Sequence, residues 1–338
     1  MDRSSQVLFL EHARSRLPQR IQWAEELAEL LNIGIDSAYR RIRGETALTF
    51  NEAVVVSRTY DISLDYLFKE GNERVEFDAG KPIRSLTDYA EYTRRVVDRM
   101  LDLEKQREDL HMYYAAMDFP LFYIYQLPEM ARMKTYYWAR TIIGIPEFQG
   151  VTLDDFQLPP EREAARQVVC QAYAGIPGTE IWTPMCYYGT LKQIQFLWDT
   201  GLIKSRDVAL GLLDELDTLT DRLWEQAEAG RKWVPSKNAA VGAPFRLFLS
   251  ELSLGNNGVV LEHPSGPRTF LSYNTFNFIE TSQPAFAETT MAWIRQVCSR
   301  STEMSSVAKA ERDRYVAKLK RQVESIRQYV VNDQESLL

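Results

Sequence analysis

The N-terminal part of this chain can be interpreted from residues 24–45, which read AEELAELLNIGIDSAYRRIRGE. Trp23, Leu27 and Leu31 recur at the spacing that places them on one face of a helix, so the pattern predicts a core-facing helix over 21–31. Asn32-Ile33-Gly34 ends that helix, because Asn and Gly tolerate the left-handed backbone found where helices stop. Asp36 then stands where an N-cap is expected, which predicts a short helix that runs to Gly44.

The short helix after this turn is predicted to have one buried face and one exposed face. Ala38 and Ile42 are one turn apart and are expected to face the core. The side chains left on the outer faces are those of Ser37, Arg40, Arg41 and Arg43, with Tyr39 at the border. Three arginines on one short helix make a surface suited to an anionic partner.

Helical segments on both sides of this pair complete an N-terminal domain over 1–70. A first helix is predicted before Pro18, and a fourth runs through Ala53 and Ser57. Ser63 is expected to cap a last short helix over 64–68. The sequence therefore predicts five short helices in this domain.

This arrangement resembles the Cro/repressor type of helix-turn-helix, the bacterial XRE-like family, over residues 20–69. The resemblance rests on the Leu27-Ala28 pair, the three-residue turn, the arginine-rich helix, the Gly44-Glu45 stop and the closing segment 62–67. It implies a recognition helix near 36–43 that enters the major groove of double-stranded DNA.

The resemblance also assigns roles to the outward side chains. Ser37 and Arg40, with Tyr39 close behind, are expected to contact bases, since Arg pairs with the O6 and N7 acceptors of guanine. Arg41 and Arg43 are expected to contact the phosphate backbone. The register of these contacts stays open by one residue, because Ala38 and Ile42 are four apart where the family often has three.

The net charge of the chain leaves an alternative to DNA binding open. The whole chain has a formal net charge of −7, whereas DNA binding needs cations close to phosphates. The arginine cluster supplies such cations locally, and local potential matters more than the sum. The alternative is that the N-terminal domain is a helical module that docks another protein and does not bind DNA.

The next segments are a polar linker over 71–84 and a long helix over 85–110. Ser85 and Asp88 resemble a capping box at the start of that helix. Eight positions alternate three and four residues apart, and six of them are apolar, which is typical of a heptad seam interrupted by Arg107. These positions are Leu86, Tyr89, Thr93, Val96, Met100, Leu103, Arg107 and Leu110. Two interpretations are left open: a helix that packs on its own domain, and a connector that forms a homodimer zipper.

Residues 111–338 are expected to form a helical C-terminal domain with a β-meander near 244–279. The segment 111–230 is predicted to be helical and is rich in aromatic residues, which form either a core or, less commonly, a ligand pocket. Strand-like runs separated by turns predict a three-stranded meander, and two helices close the chain. The fold class is thus mainly α, with a helix-turn-helix domain, a connector helix and a larger α+β domain.

The remaining features concern chemistry and location. Cys170, Cys186 and Cys298 are widely spaced, as are the three histidines, so neither disulfides nor a metal site is expected. No catalytic motif is present, so the sequence predicts neither an enzyme nor a cofactor. No stretch is apolar enough to span a membrane, and a cytoplasmic protein is expected.

The large C-terminal domain is expected to form a homodimer and to sense a small-molecule or protein effector.

Overall fold

A computed structural model of the chain describes residues 5–15, 17, 22–60, 62, 75–252, 254–264, 266–274, 277–305 and 307–335. The chain is an α+β protein that divides into two compact units, residues 1–74 and 75–338. The division falls inside the segment 71–84 that the sequence predicts as a linker.

The described part of the first unit consists of short helices. They are α1 (Ser5–Ser15), α2 (Trp23–Leu31), α3 (Ile35–Ile42) and α4 (Phe50–Tyr60). The predicted fifth helix over 64–68 and its cap Ser63 lie outside the described residues.

These four helices enclose a core of their own. Its fully buried members include Phe9, Leu10, Leu27, Ala38 and Val56. The rings of Trp23 and Tyr60 meet edge to face with 5.6 Å between their centroids, a favoured aromatic geometry. The predicted stripe on α2 is thus confirmed as far as Trp23 and Leu27, while Leu31 is half-buried at the edge of the core.

The turn between α2 and α3 has the predicted left-handed residue. Asn32 has φ 51°, and the amide of Ile33 donates to the carbonyl oxygen of Ala28 at 2.9 Å. The predicted N-cap is wrong by two residues, because α3 already begins at Ile35 with Gly34 as its N-cap. Gly34 has extended backbone, so the chain enters the helix directly after it. Asp36 lies in the first turn, where a carboxylate interacts favourably with the positive end of the helix dipole.

The second unit surrounds a sheet with helices. Its helices are α5 (Leu86–Lys105), α6 (Leu121–Ile124), α7 (Pro128–Tyr137), α8 (Pro160–Gly175), α9 (Tyr188–Asp199), α10 (Arg206–Ala229), α11 (Pro284–Ser299) and α12 (Lys309–Glu335). Its strands are β1 (His111–Ala115), β2 (Gly178–Trp182), β3 (Phe245–Leu249), β4 (Gly258–Glu262), β5 (Arg268–Tyr273), β6 (Asn277–Thr281) and β7 (Thr302–Glu303).

The strand order of this mixed sheet is β6-β5-β4-β1-β2-β3-β7. The three central strands β1, β2 and β3 are parallel, and the other pairings are antiparallel. The predicted meander is therefore misplaced: it consists of β4, β5 and β6. The run that begins at Phe245 forms β3 instead, which pairs with β2 and is separated from β4 by two strands, β1 and β2.

The prediction that 111–230 is entirely helical is also wrong, because β1 and β2 lie within it. All five residues of β2 are buried, since helices cover both faces of the central strands. A strand buried on both faces lacks the polar alternation by which a strand is usually predicted.

Helix α5 is shorter than predicted, ending at Lys105. Its predicted cap is confirmed: the Ser85 hydroxyl accepts a hydrogen bond from the Asp88 amide at 3.1 Å. The seam side chains Tyr89 and Thr93 are buried and contact Arg162 of α8, whose guanidinium donates to both hydroxyls at 2.6 and 2.5 Å. This packing corresponds to the first of the two interpretations, a helix that packs on its own domain. A zipper along the same seam would have to break these contacts.

The two faces of the sheet pack against different helices. Met112 and Tyr114 of β1 belong to the main core, together with Met100 and Leu103 of α5. The next residue along β1, Ala115, faces the opposite side, where Ile181 and Val260 contact α11. The sheet is therefore a central layer, with α5 and α11 on opposite sides of it.

Candidate nucleic-acid interface

Helix α3 has one face toward the core and one toward solvent, as its sequence predicts. Ala38 is fully buried, and Ile42 packs against the core of the first unit. The exposed residues of the helix and its C-cap are Ile35, Asp36, Tyr39, Arg40 and Arg43. Successive members are one, three, one and three residues apart, which places them on a continuous helix face.

Arg41, one of the predicted phosphate contacts, is engaged inside the unit. Its Nη2 lies 2.9 Å from Oε1 of Glu52 and its Nε 3.3 Å from Oε2, which makes a bidentate pair with α4. The two side chains are only 14% and 16% exposed. Partial burial and paired geometry make such an ion pair stronger than an exposed one. The predicted role of Arg41 at the DNA backbone stays a prediction, but in this structure the side chain joins α3 to α4.

Arg43 is also paired, but on the surface. Its guanidinium donates to Glu45 at 2.7 and 3.0 Å, and the two side chains are 56% and 52% exposed. The hydrogen bond and the charge of Glu45 raise the pKa of Arg43, and the same hydrogen bond lowers the pKa of Glu45. An exposed pair of this kind contributes little to stability, so Arg43 can exchange Glu45 for a phosphate.

Arg40 differs from Arg41 and Arg43 in that its side chain is not paired within the described part of the chain. It is exposed, and no ion pair joins its side chain to another of the described residues. Its backbone carbonyl oxygen accepts hydrogen bonds from the amides of Glu45 and Thr46 at 2.8 and 3.3 Å. The backbone beneath the side chain is thus fixed while the guanidinium reaches into solvent.

Tyr39 and Ser37 differ in how far they reach. The Tyr39 side chain is 43% exposed, next to Arg40 on the outer face. Ser37 is half-buried on the side of the helix toward α4, and its carbonyl oxygen accepts a hydrogen bond from Arg41 at 3.3 Å. The structure therefore groups Tyr39, Arg40 and Arg43 on one surface and places Ser37 and Arg41 at its edge.

Two residues that support this surface were not identified from the sequence. Thr49 and Glu52 form a capping box at the start of α4: the Glu52 amide donates to the Thr49 hydroxyl, and the Thr49 amide donates to the Glu52 carboxylate. Burial acts to raise the pKa of Glu52, but hydrogen bonds from Thr49 and Arg41 outweigh it and the pKa is lowered. The Thr-x-x-Glu spacing is itself a known signal of a helix start and could have been found.

Gln6 of α1 is a further support, with no comparable sequence signal. Its amide nitrogen donates to the carbonyl oxygens of Arg41 and Thr46 at 2.8 and 2.7 Å. Its amide oxygen accepts from the amide of Leu48 at 2.8 Å. One side chain thus holds the backbone on both sides of the segment that contains Arg43.

The charge around α3 is balanced. Residues 22–60 contain four arginines and six carboxylates, a net charge of −2. Three of those carboxylates, Asp36, Glu45 and Glu52, lie on or beside α3, as do three of the arginines. Affinity for a polyanion would therefore depend on Arg40 and on replacing Glu45, and would be weak without specific contacts.

The second unit has a buried polar cluster that resembles a structural network. Glu180 of β2 accepts hydrogen bonds from Tyr123, Tyr173 and the indole of Trp182. Burial raises the pKa of Glu180 and lowers the pKa of Lys232 to about 7. Every member of this group has a polar or aromatic partner inside the fold, which is how proteins keep buried polar groups.

Within the described ranges, no group of three His, Cys, Asp or Glu side chains could hold a metal ion. No helix in the same ranges is long and apolar enough to cross a membrane. The three cysteines are free thiols, and two of them, Cys170 and Cys186, are buried.

Comparison with known proteins gives no assignment: the chain matches no protein-family model, no curated protein and no solved structure. The function must therefore be argued from the residues themselves.

Proposed function

We propose that this protein is a sequence-specific DNA-binding regulator whose α3 enters the major groove. The observation that supports this most is the split of α3 into a buried face at Ala38 and a solvent face with Tyr39, Arg40 and Arg43. A helix with this arrangement fits a groove about 12 Å wide. Arg40 would contact a guanine, Tyr39 a base or sugar, and Arg43 a phosphate.

The proposal includes a homodimer, since a single module with one unpaired arginine binds DNA weakly. Two copies that contact adjacent half-sites would combine their affinities. The seam of α5 is occupied by α8, so we propose that another surface forms the dimer. Static light scattering of the full chain tests this point, and a monomer at micromolar concentration would contradict it.

A second function, docking of another protein, is favoured by a different observation. Ile35 on α3 is 43% exposed, and Phe50 at the start of α4 is 77% exposed. Exposed apolar side chains near a helix face are common at protein-binding surfaces. Docking of a protein does not require an excess of positive charge, so it agrees with the balanced charge around α3.

Binding to DNA duplexes with a randomised centre separates the two functions. The full chain is mixed with the duplex pool at low salt, bound duplexes are recovered over several rounds, and affinity for the selected sequence is measured by fluorescence anisotropy. We expect a recurring sequence. Its affinity should fall about 5- to 150-fold in Arg40→Ala, because one good base contact accounts for about 1–3 kcal/mol.

Arg43→Ala should weaken binding to all duplexes and reduce the salt slope by about one unit, as for loss of one phosphate contact. The matched control is Arg58→Ala, which removes an exposed arginine from α4. Equal losses in all three variants would show only non-specific charge attraction. Absence of any selected sequence would contradict the proposal and favour docking.

A further inference from the structure

The second unit contains a cavity of about 260 Å³ between α5 and the sheet. Its floor consists of Met112, Tyr114, Val259, Leu261, Phe270 and Phe278. Val96, Met100 and Leu103 of α5 form the opposite wall. The cavity is a little smaller than the ~300–1,000 Å³ of pockets for drug-sized ligands.

Strand register explains why this floor is apolar. Met112 pairs with Leu261, Tyr114 pairs with Val259, and Val259 in turn pairs with Phe270. Residues that lie directly opposite each other on neighbouring strands project on the same face of the sheet. The same ladder continues from Phe270 to Glu280 of β6. The apolar floor therefore ends in one carboxylate at the edge of the sheet.

The rim of the cavity is charged and has an excess of cations. Among its lining residues, Lys81, Arg95 and Arg99 are cationic, and Asp78 and Glu280 are anionic. Arg99 is paired with Glu280, with two contacts of 2.8 Å, and Lys81 is paired with Glu91 at 3.2 Å. Arg95 is exposed, and no ion pair joins it to another residue in the described ranges.

A short strap borders the cavity. The backbone of Asp78 exchanges two hydrogen bonds with that of Glu280, at 2.7 and 2.9 Å. Gly80 then turns the chain with φ +63°, and its amide donates to the Asp78 carboxylate at 2.8 Å. Residues Asp78 to Lys81 thus form one wall. Glu280 connects this strap to Arg99 of α5.

We propose that this cavity binds a small hydrophobic carboxylate, with its apolar body on the floor and its carboxylate on Arg95. A neutral apolar molecule would fill the volume but leave Arg95 without a partner. A cation would be repelled by Arg95 rather than bound by it. This inference rests only on the second unit and does not depend on the proposed DNA binding.

The test compares three probes that share one alkyl chain: octanoate, octanol and octylammonium. Each is titrated into the full chain and followed by calorimetry and by chemical shifts of methionine methyl groups. Octanoate is expected to bind most tightly and to shift the Met100 and Met112 signals, which identify the cavity.

Variants of the chain test separately the contacts of the carboxylate and the contacts of the alkyl chain. In Arg95→Gln the affinity for octanoate should fall about five- to tenfold, toward that of octanol, while octanol binding stays unchanged. Arg94→Gln, which removes the neighbouring exposed arginine that does not line the cavity, should bind octanoate as the natural chain does. Val96→Met, which narrows the cavity, should weaken both octanoate and octanol.

Three results would overturn the inference. They are equal affinities for all three probes, octanoate binding unchanged in Arg95→Gln, and no saturable binding of any probe. Because Arg95→Gln changes an exposed side chain, its fold should be intact even if Val96→Met is poorly folded.

Discussion

Arg41 and Arg43 are two residues apart, but they interact with their surroundings in different ways. Arg41 is mostly buried and joined to Glu52 on another helix, whereas Arg43 is mostly exposed and joined to Glu45 two residues away. Removing one partner of a half-buried pair leaves the other charge without compensation. Removing an exposed partner leaves a solvated one.

We therefore predict that Arg41→Ala destabilises the first unit while Arg43→Ala does not. The Arg41 variant should lose about 1–2 kcal/mol, seen as faster hydrogen exchange of amides in α3 and α4. The Arg43 variant should stay within about 0.5 kcal/mol of the natural chain, as surface substitutions usually do. Comparable exchange rates in the two variants would show that the Arg41–Glu52 pair has no structural role.

The sequence predicts which side chains of α3 face the core or the solvent better than it predicts which residues they contact. Ala38 and Ile42 could be placed because helical periodicity depends only on local spacing. The pairing of Arg41 with Glu52 could not, because it depends on how α4 packs against α3. Arg41 and Arg43 have the same intrinsic chemistry, so the sequence predicts similar roles for them, and only tertiary structure separates them.

One buried side chain, Arg162 of α8, joins α8 to α5 through polar contacts. Arg162 is buried and donates to Thr93 and to the hydroxyl of Tyr89, with its guanidinium 4.4 Å from the centre of the Tyr89 ring. Loss of this guanidinium leaves two buried hydroxyl groups with fewer partners. Each such loss costs about 1–3 kcal/mol.

We predict that Arg162→Leu lowers the free energy of unfolding of the second unit by about 3 kcal/mol, measured by urea denaturation. Arg94→Leu is the matched control, since Arg94 is an exposed arginine of α5, and it should change stability by about 0.5 kcal/mol or less. If Arg162→Leu instead released a new dimer along α5, the zipper interpretation would be restored.

The sequence predicts whether a segment is a helix or a strand best where its hydrophobic periodicity is strong and its contacts are local. The two closing helices α11 and α12 and the cap Ser85 of α5 correspond to the predicted ones, and α8, α9 and α10 lie in the segment 111–230 that is predicted to be helical. The order of strands was not predictable, because β3 pairs with β2 across two intervening helices, and β4 pairs with β1 on one side and β5 on the other rather than with the preceding strand β3. Sequence alone indicates which runs are extended, but not which distant run lies beside them.

At the scale of the whole molecule, the two proposed sites lie in different units of one chain. The α3 surface belongs to residues 1–74, and the cavity belongs to residues 75–338. The strap Asp78–Lys81, one wall of the cavity, begins four residues after the first unit ends. A ligand in the cavity would contact this strap, which belongs to the chain segment that covalently joins the two units.

We therefore predict that octanoate changes the affinity of the full chain for its selected duplex. Linkage requires that the duplex changes the affinity for octanoate by the same factor, which for regulatory proteins is typically about 5- to 150-fold. Anisotropy titrations with and without octanoate measure the first effect, and calorimetry with and without duplex measures the second. Arg95→Gln should reduce the first effect and Arg94→Gln should preserve it.

The two measurements also distinguish failure of either proposal from failure of their coupling. If duplex and octanoate each bind but neither alters the other, both sites exist and are independent, and the strap does not transmit binding. If the two factors differ, a third equilibrium such as dimerisation intervenes, because reciprocity holds for any pair of linked binding steps. Repeating the titrations at several protein concentrations then separates the dimer from the ligand, since only association depends on protein concentration.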